Sequence, residues 1–210
     1  MLHLTLQHLR SPLGLLLSAL HIEVPPGAIH TLMGPSGCGK SSLLAAVAGT
    51  LAPEMQFEGS VVLNGQDMTL WPTHTRQVGL LFQDALLFPH MTVLENLLFA
   101  LPAAKTTADK AERRNKALQA LQDAKLQDFA HAHPASLSGG QSARVALMRA
   151  LLAEPKAMLL DEPFSRLDVA LHEKMREFVF EHVRKRGIPT LMVTHDAQDV
   201  ADEARLTVLT

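Results

Sequence analysis

A glycine-rich segment near residue 40 has the residue types and spacing of a phosphate-binding loop. Its glycines let consecutive backbone N–H groups turn inward around phosphate oxygens, and a helix that follows adds favourable partial charge. We expect the ammonium group of Lys40 to reach the β- and γ-phosphates and the hydroxyl of Ser41 to bind Mg²⁺. The residues expected to surround the phosphates are Gly34, Pro35, Ser36, Gly37, Cys38, Gly39, Lys40, Ser41 and Ser42.

Two carboxylates follow an apolar segment much later in the chain. Asp161 and Glu162 come directly after Met158–Leu160, and ligands of open α/β sheets collect at the carboxyl ends of strands. Asp161 can hold Mg²⁺ directly or through water, and Glu162 can orient or deprotonate an attacking water. Two ordinary helix-capping acids would also explain the pair. The phosphate loop favours the catalytic interpretation.

The segment Leu137–Gln141 reads Leu-Ser-Gly-Gly-Gln. Ser138 is a good N-cap for a helix that runs to Ala153, so its hydroxyl and the free N–H groups after it can bind a phosphate. A plain helix N-cap explains a serine and one glycine but not the full set. The segment therefore offers a helix start at Ser138, Gly139, Gly140 and Gln141 that is able to bind a phosphate.

The phosphate loop and Leu137–Gln141 together resemble the ATPases of the ATP-binding cassette (ABC) family, and the resemblance extends from Leu2 to about Ala204. It implies ATP with Mg²⁺ as the bound nucleotide. It also implies a head-to-tail dimer with a second ATPase subunit, a homodimer by expectation, in which Leu137–Gln141 of one subunit caps the ATP held by the other.

The resemblance assigns roles to three further parts of the chain. Gln83 is similar to the Q-loop glutamine, which reaches Mg²⁺ or the attacking water. Ser165–Asp168 resembles the D-loop, which contacts the partner subunit. His195 resembles the switch histidine, which contacts the γ-phosphate. Taken singly, a solvated glutamine, a capped helix start and a structural histidine are the simpler interpretations.

Composition limits the class of protein. The 210 residues suit one large domain, and 47% apolar residues with 19% charged residues exclude wholesale disorder. The formal net charge of −2 gives no sign of a nucleic-acid partner, and the single cysteine excludes an internal disulfide. No apolar run approaches the roughly 18 residues of a membrane helix. Any link to a membrane must then come through partner chains. The resemblance to ABC ATPases implies integral membrane permease subunits as these partners and a peripheral position at the cytoplasmic face of the plasma membrane.

Strand-like segments alternate with helical ones, which predicts a parallel sheet covered on both faces. The expected fold class is α/β, a P-loop NTPase core with an N-terminal antiparallel β subdomain and an inserted α-helical lobe. We expect a single domain in which residues 1–83 and 156–210 form the RecA-like core and residues 84–155 form the helical lobe. A short helix is expected over Ala197–Ala204.

The chain also departs from the ABC pattern. The family usually stacks adenine on an aromatic residue shortly before the second strand, but the first aromatic here is Phe57. His8 or Arg10 would have to stack on the adenine in its place and would do so imperfectly, which argues against strict ATP selectivity. Arg166 replaces the small residue common in the D-loop. The chain stops at Thr210, within a strand-like stretch where members of the family normally continue.

The function implied by the resemblance is ATP hydrolysis that energises a membrane importer. Pro72–Gly79 and Leu87–Val93 resemble the ATPases of importers for sulfate, molybdate, thiamine and polyamines, and the expected docking groove lies between Gln83 and about His90. A soluble ABC protein is one alternative, although such proteins usually carry two cassettes or a long coiled-coil insertion. A P-loop small-molecule kinase is another, but it leaves Leu137–Gln141 unused.

Overall fold

The computed structural model describes residues 1–101, 103 and 106–209, and its strands form two sheets. In chain order the strands are β1 Leu2–Ser11, β2 Gly14–Val24, β3 Ile29–Met33, β4 Gln56–Leu63, β5 Gln66–Asp67, β6 Val78–Leu81, β7 Ala157–Asp161, β8 Thr190–Thr194 and β9 Leu206–Val208. The α-helices are α1 Lys40–Ala48, α2 Val93–Ala100, α3 Thr107–Asp123, α4 Gly139–Leu152 and α5 Val169–Lys185.

The N-terminal sheet is antiparallel and has the strand order β2-β1-β4-β5. Apolar side chains of β1 alternate with polar ones, and Leu2, Leu4 and Leu6 are buried because successive residues of a strand face opposite sides. The chain reverses between Ser11 and Gly14, which pair across the hairpin. This sheet confirms the expected antiparallel subdomain.

The second sheet is parallel and has the order β6-β7-β8-β3-β9. β7 and β8 carry apolar runs at 157–160 and 191–193, and β8 is buried throughout, as expected of strands covered on both faces. The carboxyl ends of parallel strands lie at one edge, so the segments after β6, β7, β8 and β3 follow one another along it. Thr210, expected to lie in a strand, falls outside the described residues.

Helices α2, α3 and α4 fall between β6 and β7 in the chain and pack around an apolar cluster that includes Leu97, Leu121 and Leu151. Each begins with a capping box, in which the N-cap hydroxyl and the third helical residue satisfy each other's backbone N–H groups. The pairs are Thr92–Glu95, Thr106–Asp109 and Ser138–Gln141. Within the described ranges, no helix combines the length and apolar character needed to cross a membrane.

The helix expected over Ala197–Ala204 is wrong. The structure has two short 3-10 turns there, Ala197–Asp199 and Glu203–Arg205. The carboxylates of Asp196 and Asp202 each accept a hydrogen bond from the backbone N–H two residues on, at 2.8 and 3.0 Å. Such local bonds hold the backbone in turns and compete with a continuous helix.

Candidate functional site

The phosphate loop connects β3 to α1 and has the backbone conformation that its glycines allow. Gly37 and Gly39 have φ values of 83° and 100°, in the left-handed region that other residues rarely adopt. Gly39 is the N-cap of α1 and has no side chain to accept a hydrogen bond from the first turn. The free N–H groups of that turn are therefore available to an anion.

Lys40 is buried inside this loop, with 5% of its surface exposed. Its ammonium group donates hydrogen bonds to the carbonyl oxygens of Gly34 at 2.7 Å and Pro35 at 2.8 Å. The donors of Lys40 are thus directed at the loop's own backbone, and its contact with the β- and γ-phosphates stays a prediction. A phosphate bound in the loop would compete with these two carbonyls for the ammonium group of Lys40.

Ser41 and Asp161 meet directly across the strand edge. The Ser41 hydroxyl donates a hydrogen bond of 2.9 Å to Oδ1 of Asp161 at the end of β7. Burial raises the pKa of Asp161; the hydrogen bond from Ser41 lowers it, the negative charge of Glu162 raises it, and the positive charge of Lys40 lowers it. The structure therefore joins two residues that the sequence assigns to Mg²⁺.

Glu162 and His195 form the second contact at this edge. Oε2 of Glu162 lies 3.1 Å from Nδ1 of His195, and Glu162 is the more buried of the two. The backbone of Glu162 has a φ of 44°, which is unusual for a residue with a side chain and is typical of functional sites. Its N–H donates to the carbonyl of Val193 at 3.0 Å, which holds the residue beside β8.

Gln83 is exposed and lies in the bend that follows β6. β6 is the strand that pairs with β7. The adjacent Asp84 forms an ion pair with Arg166. Both partners are more than half exposed, so this pair contributes little to stability. It nevertheless places the bend after β6 beside the Ser165–Asp168 segment.

Two side-chain hydrogen bonds order the turn at the start of α4. Oγ of Ser138 accepts the N–H of Gln141 at 3.4 Å, and Oε1 of Gln141 accepts the N–H of Ser138 at 2.8 Å. A Cβ added at Gly139 would meet open space, whereas one added at Gly140 would come within 2.6 Å of Leu171 on α5. Gly140 thus serves packing within the chain, and Gly139 faces outward.

The hairpin between β1 and β2 lies against the phosphate loop. A Cβ added at Gly39 would lie 3.1 Å from Cβ of Leu16. Leu13 and Leu15 are 100% and 52% exposed nearby in the chain. His8, one of the residues considered for adenine, lies mid-strand and is half-buried. The surface next to the loop is therefore aliphatic.

Arg76, which the sequence did not single out, anchors the far end of α1. Its guanidinium donates to the carbonyls of Ala46 and Val47 at 2.9 and 2.8 Å, and to those of Thr69 and Trp71 at 2.7 and 2.8 Å. The side chain is buried, and burial lowers its pKa. A buried arginine bound by carbonyls alone gives no pattern in the sequence that would reveal it.

Comparison with known proteins decides the family. The profile of the family described as "ABC transporter" matches residues 17–165. The chain belongs to the ABC transporter family. It is 54% identical over 192 residues to the uncharacterized ABC transporter ATP-binding protein YnjD of Escherichia coli K12, covering 91% of this chain and 87% of that protein. ATP-binding proteins of this family hydrolyse ATP, so the chain is an ATPase.

Further relatives include importer subunits. The sulfate/thiosulfate import ATP-binding protein CysA of Mesostigma viride is 40% identical, covering 89% of this chain and 53% of that protein. The spermidine/putrescine import ATP-binding protein PotA of Hahella chejuensis is 42% identical, with 87% and 49% covered. The chain thus spans about half the length of these two relatives.

The fold comparison agrees. The ATP-binding cassette MJ0796, solved as a dimer in a post-hydrolysis state bound to ADP and Pi, has a TM-score of 0.76 and 31% identity to this chain. The match covers 95% of this chain and 90% of that one. The expected α/β class, with its core, antiparallel subdomain and inserted helices, is confirmed.

Proposed function

We propose that the chain is the ATP-hydrolysing subunit of a membrane importer and works as a head-to-tail homodimer. In this dimer, two ATP molecules lie between the phosphate loop of one subunit and Ser138–Gln141 of the other. The observation that carries the proposal is the outward-facing start of α4, which has open space at Gly139 and a helix N-terminus free to meet a phosphate. The dimeric MJ0796 cassette supports it.

The importer assignment is supported by relatives whose names include import of sulfate or thiosulfate, Fe(3+) ions and spermidine or putrescine. Exposed apolar residues near the expected docking groove add to it. Phe82, Leu86 and Phe99 are 44%, 57% and 62% exposed, and exposed apolar groups of this size mark protein contacts when they cluster. Permease subunits would cover them at the cytoplasmic face of the membrane, and residues 84–155 would move with the permease.

For hydrolysis, Glu162 would orient the attacking water and take its proton. The water oxygen forms a bond to the γ-phosphorus, and the bond from that phosphorus to the bridging oxygen of ADP breaks. His195 lies 3.1 Å from Glu162 and would hold its carboxylate. Its other ring nitrogen would donate toward a γ-phosphate oxygen. Lys40 would exchange its two loop carbonyls for phosphate oxygens, so that its charge stabilises the leaving group.

Ser41 and Asp161 fit a magnesium site. Their oxygens are 2.9 Å apart, and adjacent ligands of an octahedral Mg²⁺ with bonds of about 2.1 Å are separated by about 3 Å. Gln83, in the bend after the neighbouring strand β6, would add an amide oxygen. The bound ion would neutralise charge on the β- and γ-phosphate oxygens.

The decisive experiment measures the mass of Glu162→Gln in solution with and without MgATP. Because this change spares binding but slows hydrolysis, we expect an ATP-dependent dimer, and we expect Ser138→Phe in the same chain to abolish it. A monomer that transfers phosphate to a small acceptor would instead establish a kinase. Co-purification with an integral membrane protein separates an importer subunit from a soluble ABC ATPase.

A further inference from the structure

Behind His195 lies a cluster of buried polar groups outside the residues assigned above to hydrolysis. Asp199 is only 2% exposed, and carboxylates are almost never buried without partners. It ends the 3-10 turn Ala197–Asp199, in the segment that follows His195. The turn borders a cavity of about 260 Å³ that is also lined by His195 and His172.

The hydroxyl of Thr194 forms hydrogen bonds within the loop that contains His195. Thr194 is buried, and its Oγ1 donates a hydrogen bond of 2.6 Å to Oδ2 of Asp199. The same oxygen accepts the backbone N–H of Asp196 at 3.0 Å. One hydroxyl therefore ties the residue before His195 both to the residue after it and to the end of the loop.

The other oxygen of Asp199 faces α5. Nε2 of His172 lies 3.0 Å from Oδ1 of Asp199, but this oxygen has no aligned hydrogen-bond donor in the described part of the chain. The imidazole and the carboxylate are therefore in close contact without a linear hydrogen bond. The ring of Phe164 packs edge-on against His172, with 5.6 Å between ring centroids, and restricts its orientation.

Charges around Asp199 act in both directions. Burial raises its pKa; the hydrogen bond from Thr194 and the positive charge of His172 lower it, the negative charge of Asp196 raises it, and Arg176 lowers it. Arg176, on α5 as well, donates to the backbone carbonyl of Gln198 within the same turn. Both His172 and Arg176 thus attach the loop after β8 to α5.

We propose that His172 and Asp199 are positioning residues that fix the loop carrying His195 to α5. His195 is 53% exposed at its side chain and contacts Glu162, so little packing holds the imidazole itself. The position of the imidazole then depends on the backbone of its loop. The hydrogen bond between Thr194 and Asp199 holds that loop together, and His172 attaches it to α5. The inference rests on the proposed function, because His195 matters only if the site hydrolyses ATP.

Loss of this anchor should impair turnover more than binding. The phosphate loop belongs to β3 and α1, whereas His172 and Asp199 support a residue that acts at the γ-phosphate. We expect His172→Gln and Asp199→Asn each to lower kcat by about 10- to 100-fold, as for other residues that orient a catalytic group. The KM for MgATP should change by less than about twofold.

Steady-state ATPase kinetics of the full chain test this with a double-mutant cycle. If His172 acts through Asp199, the double variant should lose no more kcat than the worse single variant. His172→Lys, whose ammonium group can contact Asp199 in place of the imidazole, should recover most of the kcat lost in His172→Gln. The matched control is His182→Ala, since His182 also lies on α5 but bonds to the carbonyl of Phe178 at 2.8 Å; its kcat should not change.

Wild-type kcat in both single variants, additive losses in the double variant, or equal changes in kcat and KM would each overturn the inference. Asp199→Asn keeps an oxygen that Thr194 can bond to, so it carries the test if His172→Gln does not fold. The proposed function is judged separately by Glu162→Gln. If wild-type activity is absent or insensitive to that change, the proposed function fails; if only the His172 and Asp199 variants are normal, the positioning role fails.

Discussion

The hydroxyl of Ser41 donates a 2.9 Å hydrogen bond to the carboxylate of Asp161, which joins the first turn of α1 to the end of β7. These residues come from segments that lie far apart in the chain, and the parallel order β7-β8-β3 brings them to one edge. Since both oxygens suit Mg²⁺, their contact leads to a direct prediction about metal dependence.

Asp161→Asn should raise the Mg²⁺ concentration needed for half-maximal ATPase activity by about tenfold or more, because a neutral amide replaces an anionic ligand. Ser41→Ala should act in the same direction. Asp67→Asn is the control, since Asp67 is exposed and bonds to Thr69. An unchanged Mg²⁺ requirement in Asp161→Asn would remove that residue from the metal site.

Two neighbouring glycines should respond differently to alanine. Gly140→Ala should lower the free energy of unfolding by about 1–3 kcal/mol, because its methyl group would collide with Leu171. Gly139→Ala has open space and should leave the unfolding free energy the same or slightly higher. It should nevertheless weaken MgATP-dependent dimerisation of the Glu162→Gln chain. Urea unfolding measures the two unfolding free energies, and the mass in solution reports dimerisation. Normal MgATP-dependent dimerisation of the Gly139→Ala variant would contradict the proposed interface.

Removal of the Arg76 guanidinium should destabilise the chain strongly. Arg76→Ala leaves carbonyls at the end of α1 without their donor, so we expect a loss of about 3 kcal/mol or more in the free energy of unfolding. Arg114→Ala, at an exposed position of α3, should change it by less than about 0.5 kcal/mol. Equal effects in the two variants would show that the buried contacts of Arg76 contribute nothing specific.

His30 makes stability depend on pH. Burial chiefly, with the positive charge of Arg205, lowers its pKa, and its Nε2 lies 2.9 Å from Oγ1 of Thr207. The unfolded chain therefore binds the proton more tightly. The stability from neutral His30 is full above the unfolded pKa of about 6.5 and is lost as the pH falls through the range down to the folded pKa.

The His30→Gln variant isolates this contribution. Its unfolding free energy should fall less than that of the wild type between neutral and mildly acidic pH, measured by urea unfolding at each pH. All other groups titrate in both chains, so the difference between them reports on His30. Parallel curves would mean that the pKa of His30 is not lowered by folding.

Nucleobase selectivity should be weak. Leu16 and Leu17 provide aliphatic surface next to the phosphate loop at Gly39. An aromatic stack is worth only about 0.5–1.5 kcal/mol beyond its buried area. We expect the Kd values of MgATP and MgGTP for the Ser138→Phe chain to differ by less than about tenfold. A preference above about a hundredfold would require a specific adenine contact.

The sequence predicts the class of fold and the positions of the main motifs because these depend on local patterns. An apolar run followed by glycines or acids indicates a strand that ends at a site, and Ser138 with Gln141 indicates a helix start. Gly49 ends α1 with a φ of 78°, a left-handed conformation in which glycine commonly ends helices. The roles of the individual site residues stay predictions.

The remaining features depend on contacts between distant parts of the chain. His172 faces Asp199 only because α5 packs beside the loop after β8, and no spacing in the sequence reveals that pairing. Asp196 and Asp202 turned a predicted helix into two turns because their carboxylates compete for backbone N–H groups. The helix propensities of the individual residues do not include that competition.

The capping box of Ser138 and Gln141 also affects the speed of assembly. Each side chain is already bonded to the backbone of the other residue, so the turn loses its conformational entropy when the chain folds rather than when two copies meet. A surface that is already ordered lowers the cost of association and removes a slow rearrangement from the encounter. ATP occupancy, rather than refolding of this turn, should then limit the rate at which two copies close.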